Sequence, residues 1–210
     1  MACSLYLVRH GETLWNNVMR YQGHCDIALN ETGERQARAL ATRLAGKRFA
    51  SVYSSDLTRA FQTASIIAAP HGLPVTKLRA LREIHFGEWE GLNRDEIRTR
   101  YPDHSEQWWS RPLHTRLPGG ETLAEVRDRA AGAVRSIARI HQGEQVIIAA
   151  HGGTIRAIVA TYLGMDLNEY WRLRQDNAAL SIVDVFDDDR GQLRLFNDTT
   201  HLPPNAGEAD

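Results

Sequence analysis

Two histidines in this 210-residue chain sit in the same local context. His10 follows the apolar run Leu5-Tyr6-Leu7-Val8 and Arg9, and is followed by Gly11; His151 follows Val146-Ile147-Ile148-Ala149-Ala150 and is followed by Gly152-Gly153. Each stretch reads as a buried strand, a histidine, a glycine turn and a helix. Ligands of open α/β sheets sit outside the carboxyl ends of the strands, and backbone N–H groups at a helix start favour anions. Arg59, in Ser54-Ser55-Asp56-Leu57-Thr58-Arg59, falls in the first turn of the helix expected after the second strand, which puts it on the same edge. Two arginines and two histidines converging there suit a tetrahedral anion, because guanidinium forks match phosphate oxygens. A neutral imidazole can attack phosphorus, which makes His10 the candidate nucleophile. Arg9, Arg59 and His151 would then hold the equatorial oxygens, where charge stabilisation does most of the work. Glu83, in a non-periodic apolar and aromatic stretch, is a candidate general acid for the leaving oxygen. On spacing alone Glu12, Glu88 and Glu121 are its equals. The sequence has no P-loop and no acidic cluster suited to two metals.

The elements that must carry these residues alternate. Short strands are expected at 4–8, 50–55, 74–77 and 145–150, with helices after Thr13, over 30–46, from a cap at Ser55 or Asp56 to Ala69, over 94–100 and 103–110, from Glu121 to His141, and over 154–163. The helices show apolar residues on one face, as in Ala37, Leu40, Ala41 and Leu44. Residues 179–186 and 192–196 alternate around a turn-rich Asp187-Asp188-Asp189-Arg190-Gly191, the pattern of a hairpin. Strands alternating with helices predict a mostly parallel central sheet in a three-layer α/β/α sandwich, with an antiparallel edge strand. One domain over residues 1–202 is expected, with a cap-like insertion at about 84–119 and a disordered tail at 203–210.

Bulk properties narrow the partners. The 25 Lys and Arg against 26 Asp and Glu leave a net charge of −1, so neither nucleic acid nor a membrane surface is expected as a partner. Cys3 and Cys25 are the two cysteines, read as free thiols of a cytoplasmic protein. His24-Cys25 resembles a metal-site fragment but lacks a third ligand. The first residues carry no basic n-region or long apolar h-region of a signal peptide, and no run approaches the ~20 apolar residues of a membrane span. The edge hairpin is compatible with a monomer or a homodimer.

These segments, in order, resemble the histidine phosphatase superfamily, the phosphoglycerate mutase-like proteins. Leu7-Val8-Arg9-His10-Gly11-Glu12-Thr13 with Asn16 is similar to the family signature, and Gln22-Gly23 with Asp26, Leu29 and Gly33 to the segment after it. Ser54 to Ala60 with Gln62-Thr63-Ala64 resembles the second-arginine motif, Leu81 to Gly91 the acid/base segment, and Gly120-Glu121-Thr122 and Ala150-His151-Gly152-Gly153 complete the set. The resemblance implies a phosphohistidine at His10 and a phosphate pocket of Arg9, Asn16, Arg59 and His151, with the Gly152 backbone contributing. Gln22 and Gly23 join them as substrate-binding positions. Glu83 becomes the proton donor and then the base that activates water. No metal and no other cofactor is implied; the substrate is a small-molecule phosphate ester. The short segment from Gly91 to Leu117 and the form Leu-Arg-Glu-x-x-x-Gly-x-Trp-Glu-Gly resemble the broad-specificity and α-ribazole-phosphate phosphatase branches rather than cofactor-dependent mutases. A mutase, or a non-catalytic phosphate-binding module, is the alternative. Gln22, His24, His85, Trp108, Trp109, His114 and Arg116 are candidates for the leaving-group side.

Overall fold

The alternation of apolar side chains along the first strand sorts the molecule into layers. In a computed structural model, which describes residues 1–203, the chain runs β1 (Ala2–Arg9), α1 (Leu14–Asn17), α2 (Glu31–Leu44), β2 (Ser51–Ser54), α3 (Thr58–Ala68), β3 (Val75–Lys77), α4 (Arg94–Arg100), α5 (Pro102–Ser110), α6 (Leu123–Ile140), β4 (Gln145–Ala150), α7 (Gly152–Tyr162), β5 (Leu180–Phe186) and β6 (Gly191–Asp198). Cys3, Leu5 and Leu7 pack on one side of the sheet, against α6 and α7. Tyr6 and Val8 pack on the other, against α2 and α3. The α/β/α sandwich is as expected. The expected tail lies, from residue 204 onward, outside the described residues.

The strand order is β3-β2-β4-β1-β5-β6. β1 and β4 are parallel neighbours at its centre, with Arg9 opposite Ala150. His10 and His151 therefore leave adjacent strand ends together. β2 is parallel to β4 and to β3. The expected hairpin forms the antiparallel edge: β5 runs against β1, and β6 runs against β5. Only β5 opposes the rest.

Several helix starts follow local chemistry; that of α3 does not. Thr13 and Thr122 close capping boxes with Asn16 and Glu125, and the Asn30 side chain accepts from the Gly33 N–H. The cap expected at Ser55 or Asp56 is not made there. Leu57 holds the N-cap position of α3 without a side-chain bond. Asp56 is drawn away by Arg82, whose Nε and Nη2 both donate to its carboxylate at 2.7 Å. Asp26 replaces it, accepting from Thr58 N at 2.7 Å and Thr58 Oγ1 at 2.8 Å.

A third apolar cluster lies under α4 and α5. Ile84, Phe86, Trp89, Ile97, Trp108 and Leu117 pack there against Val126 of α6 and Ala157 and Ala160 of α7. Trp108 is fully buried in this cluster, whereas Trp109 is only half-buried. Trp108 is therefore core, not a substrate contact.

Candidate active site

A cavity of about 200 Å³ opens where β1 ends. Of the residues singled out from sequence, Arg9, His10, Asn16, Gln22, Gly23, Arg59 and Glu83 line it. His151 stands directly behind, its ring centroid 5.2 Å from that of His10. Gly152 lies against the Arg9 side chain, so that a Cβ there would sit 3.5 Å from Arg9 Nε. Met19, Arg20, Tyr21 and Phe86 also line the cavity. Nothing in the sequence marked these four, because their place depends on how the loop after α1 meets the segment around Glu83.

His10 is held at both ends. Its N–H donates to Ala150 O at 3.0 Å, and its carbonyl accepts from Ala178 N and from the Asn177 side chain, each at 3.1 Å. Its Nδ1 lies 2.7 Å from Gly11 O. A carbonyl only accepts, so Nδ1 carries the proton and Nε2 carries the lone pair. Burial, and then the positive charges of Arg59 and Arg9, push the His10 pKa well below its ordinary value. His151 is shifted the same way by burial, Arg59 and His10. Both rings are therefore neutral near pH 7, and His10 can act as a nucleophile through Nε2.

The two arginines are spent unequally. Arg59 is fully buried and gives Nη1 to Cys25 O and Nη2 to Gly23 O, both at 2.8 Å. Gly23 can offer its carbonyl there because it sits at φ +51° with Glu90 Oε1 packed where a Cβ would be, 2.1 Å away. Arg9 donates to Gln175 O. Burial lowers both guanidinium pKa values to about 10, and both remain cationic at neutral pH. Among the described residues, Arg9 Nε, Arg59 Nε and both ring nitrogens of His151 are buried without a hydrogen-bond partner. Buried donors are normally satisfied. Three of these are donors, the two guanidinium Nε–H groups and the single N–H of the neutral His151 ring, and they fit a polyvalent anion; Gln22 Oε1, also unpartnered, is an acceptor.

Asn16 is oriented rather than free to turn. Its Oδ1 accepts from Thr13 N and Thr13 Oγ1 at 3.0 Å and from Asn177 Nδ2 at 3.3 Å, which leaves its own Nδ2 as the donor for a ligand. Asn177 is a support that carried no sequence signal, and Thr63, read from sequence only as part of the second-arginine motif, is another. Thr63 Oγ1 accepts from Gly11 N at 3.0 Å and donates to Arg59 O at 2.8 Å, tying the two motifs together.

Glu83 separates itself from the other glutamates by position. Its carboxylate accepts from Ile84 N at 2.9 Å, Gly153 N at 3.1 Å and Thr154 N at 3.2 Å, at the start of α7. A Cβ on Gly153 would lie 2.6 Å from Glu83 Oε1, so the second glycine after His151 makes room for this carboxylate. Glu12 is engaged by Asn30, Glu88 by Tyr101 and Glu121 by Arg129; none of them lines the cavity. His24, His85, Trp109, His114 and Arg116 do not line it either. His24 and His85 stack on each other at 4.6 Å. Arg116 turns outward to Glu125. No group of three or more His, Cys, Asp or Glu that could hold a metal occurs among the described residues, and the Cys25 thiol instead donates to Glu90.

The neutral histidines predict a pH dependence of stability. Their folded-state pKa values lie below the unfolded value of ~6.5, so the unfolded chain takes up protons that the folded chain does not. Stability is then full above that pH and falls as the pH drops below it, by up to about 1.4 kcal/mol per pH unit for each ring. Urea unfolding in a phosphate-free buffer between pH 7.5 and pH 5.5 is expected to show this slope. A variant carrying His10→Asn and His151→Asn should flatten it; an unchanged slope in that variant would assign the effect to other groups.

Comparison with known proteins agrees with this geometry. Residues 5–199 match the histidine phosphatase superfamily (branch 1). The chain is 36% identical over 198 residues to phosphoserine phosphatase 1 of Hydrogenobacter thermophilus, covering 94% of this chain and 93% of that protein. It is 36% identical over 209 residues to phosphoglycerate mutase-like protein 4 of Arabidopsis thaliana, covering 94% and 86%. The structure of the α-ribazole phosphatase from Shigella flexneri superposes with a TM-score of 0.84 at 28% identity, covering 96% of this chain and 100% of that one. With the match running from the first strand through the last, this chain belongs to the histidine phosphatase superfamily.

Proposed function

We propose that the protein hydrolyses small-molecule phosphomonoesters through a phosphohistidine at His10. The observation that carries this reading is the lone pair of His10 Nε2 set among buried, unpartnered cationic and imidazole donors, with the Glu83 carboxylate lining the same cavity. In the first step Nε2 forms a bond to phosphorus as the bond to the ester oxygen breaks. Glu83 gives that oxygen its proton. In the second step Glu83 takes a proton from water, whose oxygen displaces Nε2. Arg9, Asn16, Arg59 and His151 bind the equatorial oxygens throughout, with the Gly152 backbone beside them. Gln22 and Gly23 line the same cavity and bind the substrate from its wall.

Hydrolysis rather than mutase chemistry is supported by the short segment from Gly91 to Leu117 and by the phosphatase names of some similar proteins, while others at the same identity carry phosphoglycerate mutase names and keep the mutase as the alternative. The leaving group faces Tyr21, which also borders a second cavity of about 370 Å³ lined by Arg94, Trp109 and Trp171. The guanidinium carbons of Arg94 and Arg98 lie 4.7 and 5.1 Å over the Trp109 ring. An aromatic or sugar-like leaving group, such as that of α-ribazole phosphate, fits such a surface.

Incubation with a phosphomonoester in chelator-containing buffer, alkaline quenching and peptide mass analysis should find one phosphoryl group on His10. Phosphate on another residue, or none under conditions of turnover, would reject the mechanism. With 3-phosphoglycerate and a bisphosphoglycerate primer, phosphate release should outrun isomerisation; the reverse would make the protein a mutase.

A further inference from the structure

Arg129 of α6 does not line the cavity, yet every one of its five N–H groups has a partner around Glu83. Nε donates to Glu121 Oε1 at 2.9 Å. Nη1 donates to Ala80 O at 2.8 Å and to Arg82 O at 2.7 Å. Nη2 donates to Glu83 O at 2.8 Å and to Glu121 Oε2 at 2.9 Å. The Glu83 carbonyl takes a second bond from His24, whose Nε2 lies 2.9 Å away. Glu121, on the far side of the guanidinium, accepts from His85 N at 2.9 Å, and its own N–H donates to His85 O at 2.9 Å. One planar cation thus grips the backbone at residues 80, 82 and 83 directly and at 85 through Glu121.

Three backbone carbonyls turned toward one point repel each other unless a cation joins them. The guanidinium does so in a fixed plane, which an ammonium on a flexible stem cannot reproduce. The consequence is felt at the other end of Glu83. From this clamped backbone the side chain reaches Gly153 N and Thr154 N, and Thr154 Oγ1 closes the frame by donating to Arg82 O at 2.7 Å. A proton donor must be held within hydrogen-bond reach of the leaving oxygen, and a displacement of about 1 Å can cost ~10²-fold.

We propose that Arg129, with Glu121 and His24, is a positioning device for the Glu83 carboxyl, setting the efficiency of proton transfer to the leaving group. The proposal rests on Glu83 being the general acid. A device that only stabilises the fold would act on all substrates alike. One that aims an acid matters most where the leaving oxygen most needs a proton.

The test is kcat/KM over 4-nitrophenyl, phenyl and simple alkyl phosphates for the wild type, Arg129→Lys, Arg129→Met, Glu121→Gln and Glu83→Gln. For the Arg129 variants we expect a loss of roughly tenfold on 4-nitrophenyl phosphate growing to about 10³-fold on the alkyl ester. Glu121→Gln, which keeps the side-chain shape, should show the same trend at smaller amplitude and covers the case in which Arg129→Met fails to fold. Glu83→Gln should show the steepest trend. If the Arg129 and Glu121 variants lose activity equally on all three esters while Glu83→Gln does not, the positioning role is overturned and the acid survives. If Glu83→Gln itself shows no dependence on the leaving group, the acid assignment falls, and the positioning role with it.

Discussion

Replacing His10 by alanine is expected to lower hydrolysis of 4-nitrophenyl phosphate by about 10⁵-fold, because no other residue lining the cavity offers phosphorus a neutral imidazole lone pair. The other cavity residues that carry nitrogen are cations or amides: Arg9, Arg20 and Arg59 are guanidinium groups, and Asn16 and Gln22 are amides without a basic lone pair. His151 is a second neutral imidazole, fully buried against the His10 ring, where it serves in the proposed mechanism as an N–H donor to a phosphate oxygen. Phosphate binding should survive the substitution within about an order of magnitude, since the charged donors remain. The decisive comparison is therefore turnover against inorganic phosphate affinity, the latter by isothermal titration on the same protein. Residual activity above about a hundredth of wild type would place the nucleophile elsewhere. Loss of phosphate binding together with activity would mean that the substitution collapsed the pocket rather than removed the nucleophile.

Arg59→Ala is expected to cut kcat/KM by roughly 10³- to 10⁴-fold, equivalent to about 4 to 5.5 kcal/mol of transition-state stabilisation. Two losses combine. One is a cation at the phosphate oxygens. The other is structural, since the same guanidinium holds the carbonyls of Gly23 and Cys25 and so shapes the loop that lines the cavity. Arg59→Lys separates them. An ammonium keeps the charge but cannot bond two carbonyls and an oxyanion in one plane, so about 10²-fold of the loss should remain. Faster amide hydrogen exchange at residues 22–26 in both variants would report the freed loop. Full activity in Arg59→Lys would show that charge alone matters at this position. Asp26 links this loop to α3 as well, accepting from Thr58 N and Oγ1, so the segment that lines the pocket is tied to the helix that presents Arg59.

Much of this arrangement was legible in the amino-acid order, for a local reason. A strand that ends in Arg-His-Gly or His-Gly-Gly must deliver its polar residues at the edge where the apolar run stops. Parallel pairing of two such strands then puts the histidines side by side, as the register of β1 on β4 does. The helices were equally readable, since their apolar period and their caps at Thr13, Asn30 and Thr122 are set by residues within a turn of one another. The cap of α3 was not, because its partner comes from Asp26, in another segment, while the nearby Asp56 is taken by Arg82.

The proposed acid shows the same divide. Glu83, Glu12, Glu88 and Glu121 are equivalent in spacing, and only packing tells them apart. Glu83 meets the amide groups that begin α7, in space left by a glycine 70 residues further on. Trp108 and Trp109 are neighbours in sequence, and rotation along α5 sends one into the core and the other to a surface cleft. By itself, then, the sequence determined the strands, the helices and the edge on which an anion and a histidine would meet, because those depend on periodicity and on residues close along the chain. Which carboxylate lines the cavity, which of the two tryptophans is core, and how Arg129, Thr63 and Asn177 hold the segments around it were decided only by the tertiary structure. Those contacts join segments tens of residues apart, and a hydrogen bond between two such groups leaves no periodic trace in either.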